Sequence, residues 1–128
     1  MSLHSRITLL KWVLPGETVG YGCTFEASSK TLVATIPVGY HDGYMRALSN
    51  RGHAIIRGVA ATVIGRISMD LTLIDVTNVP GVQLDDEVIL LGRDGGLSVT
   101  AEDLAKTAGT LSYEVTCGIG ERVPRVFK

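Results

Sequence analysis

The apolar residues of this chain recur mostly at every second position or in short β-branched runs, and Gly, Pro, Asn and Asp separate these runs. Alternation with a period of two is the pattern of a half-buried strand, and turn-forming residues between the runs mark strand ends. The expected strands are Arg6–Val13, Thr31–Ile36, His53–Ile56, Ala61–Ile64, Leu71–Val76, Glu87–Leu91 and Val123–Phe127, with a further extended stretch at Thr18–Tyr21. Short strands at this spacing are typical of a barrel or sandwich. We therefore expect a mainly β fold, a small β-barrel.

One or two short helices are expected near the C-terminus. Thr100 is suited to cap the start of a helix whose first turn is acidic, and Gly109 is suited to end it. This helix should span about two turns. Leu104 and Ala108 lie four residues apart and should share the face that packs on the barrel. A second helical turn is expected after Ser112.

Length and charge restrict the class of protein. A chain of 128 residues is large enough for one domain, which we expect to span residues 1–128. The 12 basic and 13 acidic residues nearly cancel, so neither a nucleic acid nor an anionic membrane is an expected partner. No apolar run approaches the roughly 20 residues of a membrane helix. The two cysteines and the histidines lack metal-site spacing, and a reducing, cytoplasmic setting is expected.

Three loops carry residues that could bind a ligand, and each also has an ordinary interpretation. They are Gly20–Gly22, Gly39–Tyr44 and Gly65–Asp70. In the first two, tyrosines project from glycine-rich turns, which are also common as solvated surface loops. In the third, Arg66 could simply pair with Asp70 while the methionine between them fills core space. None of these loops alone identifies a function.

Taken together and in order, the motifs resemble one family, the C-terminal domain of alanine racemase, and the resemblance extends from about Ser5 to the last residue. The segments that carry it are Gly20–Phe25, Ile36–Arg46, Gly65–Asp70, Leu111–Val115 and Arg122–Val126. The chain departs from the family's usual residues at Gly20, Phe25, Ser68 and Leu71. These departures affect only the fine placement of a substrate.

The resemblance implies a pyridoxal-phosphate enzyme that interconverts L- and D-alanine for the bacterial cell wall. In this family a first domain, an (α/β)-barrel, carries the lysine that binds the cofactor. The second domain is mostly β and reaches into the active site of the partner subunit in a head-to-tail homodimer. The resemblance thus implies that this chain completes a site whose cofactor is held elsewhere.

The resemblance also implies roles for particular residues. Tyr21 matches the base that removes the α-proton of L-alanine, and Met69 matches the residue whose backbone amide contacts the substrate carboxylate. Tyr40 matches a tyrosine that narrows the substrate gate. Tyr113 matches one that contributes to the gate and reaches the cofactor phosphate. The positions along the access channel are Arg46, Arg66, Asp70 and Leu111.

Inversion at a planar carbon needs a base on each face, and in this family the cofactor lysine stands opposite the tyrosine. A phenol with the ordinary pKa near 10 is a weak base at pH 7. Cationic neighbours or hydrogen bonds must therefore lower the pKa of Tyr21, and we expect most of them to come from the other domain.

The chain has four lysines, and none lies in the family's Lys-Ala-x-Ala-Tyr-Gly cofactor motif. We therefore expect the chain alone to be inactive and not to bind pyridoxal phosphate tightly, as for a piece of a longer enzyme. The alternative is a non-catalytic β-barrel module that binds or assembles through exposed Tyr21, Tyr40 and Tyr44. Oligonucleotide binding is disfavoured by the charge balance.

Overall fold

Within residues 1–20 and 22–127, which this computed structural model describes, the chain forms ten strands and two α-helices. Tyr21 and Lys128 lie outside the described residues. The strands are β1 (Leu3–Arg6), β2 (Leu9–Val13), β3 (Thr18–Val19), β4 (Phe25–Glu26), β5 (Thr31–Ile36), β6 (His53–Ile56), β7 (Val59–Ile64), β8 (Thr72–Asp75), β9 (Glu87–Asp94) and β10 (Leu97–Val99). The helices are α1 (Ala101–Ala108) and α2 (Ser112–Cys117). Two single-turn 3-10 helices, Tyr40–Asp42 and Arg46–Leu48, lie between β5 and β6.

The main sheet is curled into a half-barrel. Its order is β1-β9-β6-β7-β8-β5-β2, with β10 added to β9, and the neighbouring strands are antiparallel. The two edge strands β1 and β2 are consecutive in the chain. At the link between them, the Ile7 N–H donates to Asp86 O at 3.1 Å and the Thr8 N–H to Thr35 O at 2.9 Å. The expected mainly β fold with a small barrel and short C-terminal helices is confirmed.

Two of the expected strands are wrong. The run Arg6–Val13 is not one strand, because at Ile7 and Thr8 the backbone passes from pairing with β9 to pairing with β5. The run Val123–Phe127 forms no strand. There the Arg125 guanidinium binds the carbonyl oxygens of Val123, Gly120 and Ile119, and Pro124 has no N–H to give to a ladder. Alternation alone does not reveal either effect.

Helix α1 begins after Thr100 and ends before Gly109, as the sequence predicts. The Asp103 N–H donates to Thr100 Oγ1 at 3.0 Å, and the Thr100 N–H donates to Asp103 Oδ2 at 2.9 Å. The Thr100 backbone N–H, and after it the Thr100 side chain, lower the pKa of Asp103 by hydrogen bonds that favour the ionised carboxylate. Leu104 is buried and Ala108 packs against the core, as expected. No helix among the described residues has the length and apolar character that a membrane crossing requires.

Among the described residues, Tyr44 is the only fully buried aromatic residue of the core, and it is only 1% exposed. The expectation that Tyr44 lies on an exposed binding face is therefore wrong. Its hydroxyl has no hydrogen-bond partner among the described residues, and burial raises its pKa. Gly52 makes room for it, since a Cβ there would lie 2.8 Å from the hydroxyl oxygen.

Replacing Tyr44 with phenylalanine should raise the free energy of unfolding by about 1 kcal/mol, because a buried hydroxyl without a partner costs about 1–3 kcal/mol. Urea denaturation of the two chains measures the difference. A loss of stability beyond about 1 kcal/mol would show instead that the hydroxyl makes a stabilising bond.

Candidate functional site

Two of the three loops singled out in the sequence lie against each other. The Tyr40 N–H donates to Ser68 O at 3.0 Å, and the His41 N–H donates to Met69 O at 3.0 Å. The backbones are so close that a Cβ at Gly39 would lie 2.3 Å from Ser68 O and 2.4 Å from Met69 O. A residue without a side chain is therefore required at Gly39, and the turn after it fixes the position of Met69.

The chain after α2 packs on the other side of the same turn. The Gly120 N–H donates to Asp42 O at 2.8 Å, and a Cβ at Gly43 would lie 2.3 Å from Gly118 O. Segments that are far apart in the sequence thus meet at residues 39–43. We refer to these residues as the gate turn.

An arginine joins the three segments. Arg122 donates from Nε to Asp42 Oδ1, from Nη2 to Asp42 Oδ2 at 3.1 Å, and from Nη2 to Asp70 Oδ1. Asp42 is buried, and Asp70 and Arg122 are partly exposed. The Arg122 hydrogen bond is the main cause that lowers the pKa of Asp42, with help from the Gly39 N–H, which donates to Asp42 Oδ2 at 3.0 Å; burial opposes the shift. The pKa of Arg122 is raised in turn.

The lowered pKa of Asp42 predicts a pH-dependent stability. Because the folded pKa lies below the ordinary 3.8, the carboxylate contributes stability above pH 3.8 and loses it as the pH falls through the folded value. We expect Asp42→Asn to be less stable than the parent chain by about 2 kcal/mol at pH 7. This difference should shrink below about pH 4, where the parent carboxylate takes up a proton. Urea denaturation between pH 7 and pH 3 measures it, and a difference that stays constant with pH would contradict the assignment.

Two of the expected channel residues, Arg46 and Arg66, form a second group. Arg46 and Arg66 are exposed and line one shallow depression together with Ala47 and Ser49. The loop that precedes β4 approaches the same arginine, since a Cβ at Gly22 would lie 3.0 Å from Arg66 Nη1. Two guanidinium groups at one depression can attract a carboxylate.

Asn50 holds this second group in place. Its Nδ2 donates to Thr24 Oγ1 at 3.1 Å, and its Oδ1 accepts the Gly65 N–H at 2.6 Å. The backbones of the two loops also touch, because a Cβ at Gly20 would lie 3.0 Å from the Gly65 Cα. Gly20 and Gly22 therefore lie beside Gly65 and Arg66, and Tyr21 lies outside the described residues.

The exposed side chains of the site include Tyr40 and Met69, which are 48% and 49% exposed. The alternative that Met69 fills core space is therefore wrong, and Asp70 pairs with Arg122 and not with Arg66. Among the described residues the Met69 N–H has no hydrogen-bond partner, so it remains able to donate to a ligand.

Leu111 and Tyr113 lie at the start of α2 and are 66% and 77% exposed. The described contacts with the gate turn come from the other end of this helix, at Gly118 and Gly120. The structure therefore leaves the Tyr113 ring open to another surface.

Sequence reasoning missed three residues that organise the site: Asp42, Asn50 and Arg122. Each lies in or near one of the segments that carry the family resemblance, but their hydrogen bonds join residues up to 80 positions apart. Only the approach of the motifs in the fold reveals them. The described residues contain no group of three His, Cys, Asp or Glu that could hold a metal ion.

Comparison with known proteins agrees with this arrangement. The sequence profile described as "Alanine racemase, C-terminal domain" matches residues 1–127. The alanine racemase of Geobacter sulfurreducens is 53% identical over 99% of the chain, and that of Halothermothrix orenii is 48% identical over 100%. In both cases the chain spans 34% of the relative's length. The match therefore covers about a third of these longer proteins.

Solved structures match equally well. The alanine racemase of Bacillus anthracis with bound L-Ala-P has a TM-score of 0.93 at 32% identity, and covers 99% of this chain and 32% of its own. The alanine racemase of Bartonella henselae with covalently bound pyridoxal phosphate has a TM-score of 0.90 at 28% identity, over 98% of this chain and 34% of its own. These proteins share the overall fold over nearly the whole chain. This chain belongs to the alanine racemase family, of which it represents the C-terminal domain.

Proposed function

We propose that this chain is the C-terminal domain of a pyridoxal-phosphate-dependent racemase that interconverts L- and D-alanine. The observation that carries the proposal is the placement of Met69, which is 49% exposed, has no described hydrogen-bond partner for its N–H, and is held beside exposed Tyr40 by the gate turn. A fixed backbone donor on an open face is suited to bind a small anion such as the carboxylate of an amino acid.

Each remaining site residue has a role in this proposal. Tyr21 removes the α-proton of L-alanine, and Tyr40 narrows the opening through which the substrate passes. Arg46 and Arg66, in their common depression, attract the amino acid's carboxylate toward the site. Asp70 and Leu111 border the same channel. The exposed phenol of Tyr113 donates to the cofactor phosphate.

The donors on this chain fit a cofactor that is held mainly by another domain. Tyr113 can give a hydrogen bond to a phosphate, but no described lysine lies in the site. Lys30, for example, stacks 4.6 Å from the centre of the Trp12 ring. When bound, pyridoxal phosphate delocalises the negative charge that forms at the substrate's α-carbon. This chain's part is to place a proton acceptor and a carboxylate ligand.

The same proposal includes the domain organisation, the oligomeric state and the cellular compartment. The larger of two core clusters joins residues from β1 to α2, which supports a single domain over residues 1–128. The exposed side chains of Tyr40, Met69 and Tyr113 would contact the cofactor domain of a partner subunit in a homodimer. Cys23 and Cys117 are free and exposed, which favours a reducing, cytoplasmic setting.

The test is to incubate the full-length protein with pyridoxal phosphate and L-alanine and to measure D-alanine. We expect racemisation by the full-length protein. The 128-residue chain alone should be inactive and should not retain the cofactor through gel filtration. A full-length protein without a lysine-bearing barrel, or one that leaves alanine unchanged, would favour the non-catalytic binding module instead.

A further inference from the structure

The only described side chain that binds all three segments of the site is that of Arg122. It follows α2, and its guanidinium binds Asp42 in the gate turn and Asp70 next to Met69. These partners lie 80 and 52 residues away in the sequence. We propose that Arg122 is a positioning residue, which holds the Met69 amide and Tyr40 in the relative placement that binds the substrate carboxylate. The proposal rests on the proposed function.

The contacts form a closed ring. From Arg122 the ring passes to Asp42, whose Oδ2 accepts the Gly39 N–H at 3.0 Å. It continues through the Tyr40 and His41 N–H groups to the carbonyl oxygens of Ser68 and Met69. The chain then leads from Met69 to Asp70, which returns to the same guanidinium. A displacement of either loop must therefore break a bond of Arg122.

The chemistry of the ring requires an arginine. The planar guanidinium presents Nε and Nη2 side by side, which matches the two oxygens of the Asp42 carboxylate, and Nη2 has a second hydrogen for Asp70. A lysine ammonium is a point donor on a flexible stem and cannot reproduce this geometry. The nearby Arg125 offers a contrast, because its described partners are all backbone carbonyls of residues 119–123, within its own segment.

The proposal predicts a particular kinetic effect. The Met69 amide contacts the carboxylate, a group that does not react, so it should bind the ground state and the transition state about equally. Loss of such uniform binding raises KM and leaves kcat nearly unchanged. We expect Arg122→Met in the full-length enzyme to raise KM for alanine about 10-fold while kcat changes less than about 3-fold.

The matched control is Arg57→Met. Arg57 also binds an aspartate, Asp86, with 3.3 Å between Nη1 and Oδ1, but it lies in the β6–β7 turn outside the site. We expect its KM and kcat to equal those of the parent enzyme. Arg122→Lys should fall between the parent and Arg122→Met, because one of the two aspartates can still be bound.

Hydrogen exchange followed by mass spectrometry supplies a readout that does not need activity. In Arg122→Met, peptides covering residues 39–44 and 67–72 should exchange faster. In the first peptide the N–H groups of Gly39, Tyr40 and His41 lose protection, and in the second those of Ser68 and Leu71, whose hydrogen bonds close the loop that holds Met69. Peptides from β6 and β7 should keep the parent rate. Arg57→Met should leave residues 39–44 and 67–72 unchanged.

The outcomes separate this inference from the proposed function. Faster exchange at both loops together with a selective rise in KM supports the positioning role. Unchanged exchange, or a KM equal to that of Arg57→Met, overturns it even in a fully active racemase. A parent enzyme that does not racemise alanine overturns the proposed function, while the exchange rates still decide whether Arg122 joins the loops. If Arg122→Met does not fold, Arg122→Lys decides by the same two measurements.

Discussion

Replacing Tyr21 with phenylalanine in the full-length enzyme is expected to lower kcat/KM for alanine by about 10²–10⁴-fold, the usual contribution of a positioned acid–base group. The substitution removes only the phenolic oxygen, so the loop around Gly20 and Gly22 should keep its backbone contacts with Gly65 and Arg66. The loss should therefore fall on proton transfer and leave the fold intact. Racemisation rates measured from each enantiomer give the size of the effect.

Solvent exchange of the α-proton, measured separately for each enantiomer, distinguishes a base from a residue that only shapes the site. Because the two enantiomers have equal free energies, kcat/KM must fall by the same factor in both directions of racemisation. Exchange of the α-proton with solvent is not bound by that equality. In D₂O the Tyr21→Phe enzyme should still exchange the α-proton of D-alanine, through the base on the opposite face, but not that of L-alanine.

Tyr44→Phe is the matched control, since it also removes one phenolic oxygen, but from the core. It should racemise at the parent rate. Near-normal rates for Tyr21→Phe in both directions would contradict the role given to Tyr21. Equal loss of exchange from both enantiomers would indicate that Tyr21 places the substrate and does not move its proton.

The sequence was sufficient for most of the barrel, because local patterns carry most of that information. The run Thr31–Ile36 alternates around buried β-branched residues and forms β5, and the capping pair Thr100 and Asp103 starts α1 where it was expected. Errors arose where a distant partner overrides the local pattern. Arg6–Val13 is divided because its two halves pair with opposite edges of the sheet. The alternating run Val123–Phe127 forms no strand, because the Arg125 side chain binds backbone carbonyl oxygens there.

The site could be anticipated only as separate motifs. The resemblance named Tyr40 and Met69, and the structure brings their backbones together through bonds from the Tyr40 and His41 N–H groups. The resemblance could not show that Arg122 joins the two loops, because a pairing across 80 residues leaves no periodicity in the chain. Tyr44 shows the opposite failure: a tyrosine next to a polar turn looks exposed, yet its ring fills the core.

Gly39 carries the second large expected effect. Its backbone, at φ −143° and ψ −164°, is extended and open to any residue, so a substitution there causes no dihedral strain. The obstacle is contact, because an added Cβ would lie 2.3 Å from Ser68 O and 2.4 Å from both the carbonyl carbon and the oxygen of Met69. These are backbone atoms, which cannot turn away as the end of a flexible side chain can.

Gly39→Ala must therefore separate the gate turn from residues 68 and 69 and break the bonds from the Tyr40 and His41 N–H groups. Overpacking costs about 1–3 kcal/mol and each lost bond about 1 kcal/mol, so we expect a loss of about 3–5 kcal/mol in the free energy of unfolding. Gly96→Ala is the control, since a Cβ there meets nothing within 4 Å. It should stay within about 0.5 kcal/mol of the parent.

Urea denaturation of both variants measures these differences, and racemisation by the full-length Gly39→Ala enzyme completes the comparison. The Met69 N–H belongs to the same peptide unit as the Ser68 carbonyl and would move with it. Substrate affinity should therefore fall together with stability. A Gly39→Ala chain as stable as Gly96→Ala would mean that the two loops can separate at little cost. In that case the gate turn would not fix Met69, and the carboxylate-binding role assigned to its amide would lose its structural support.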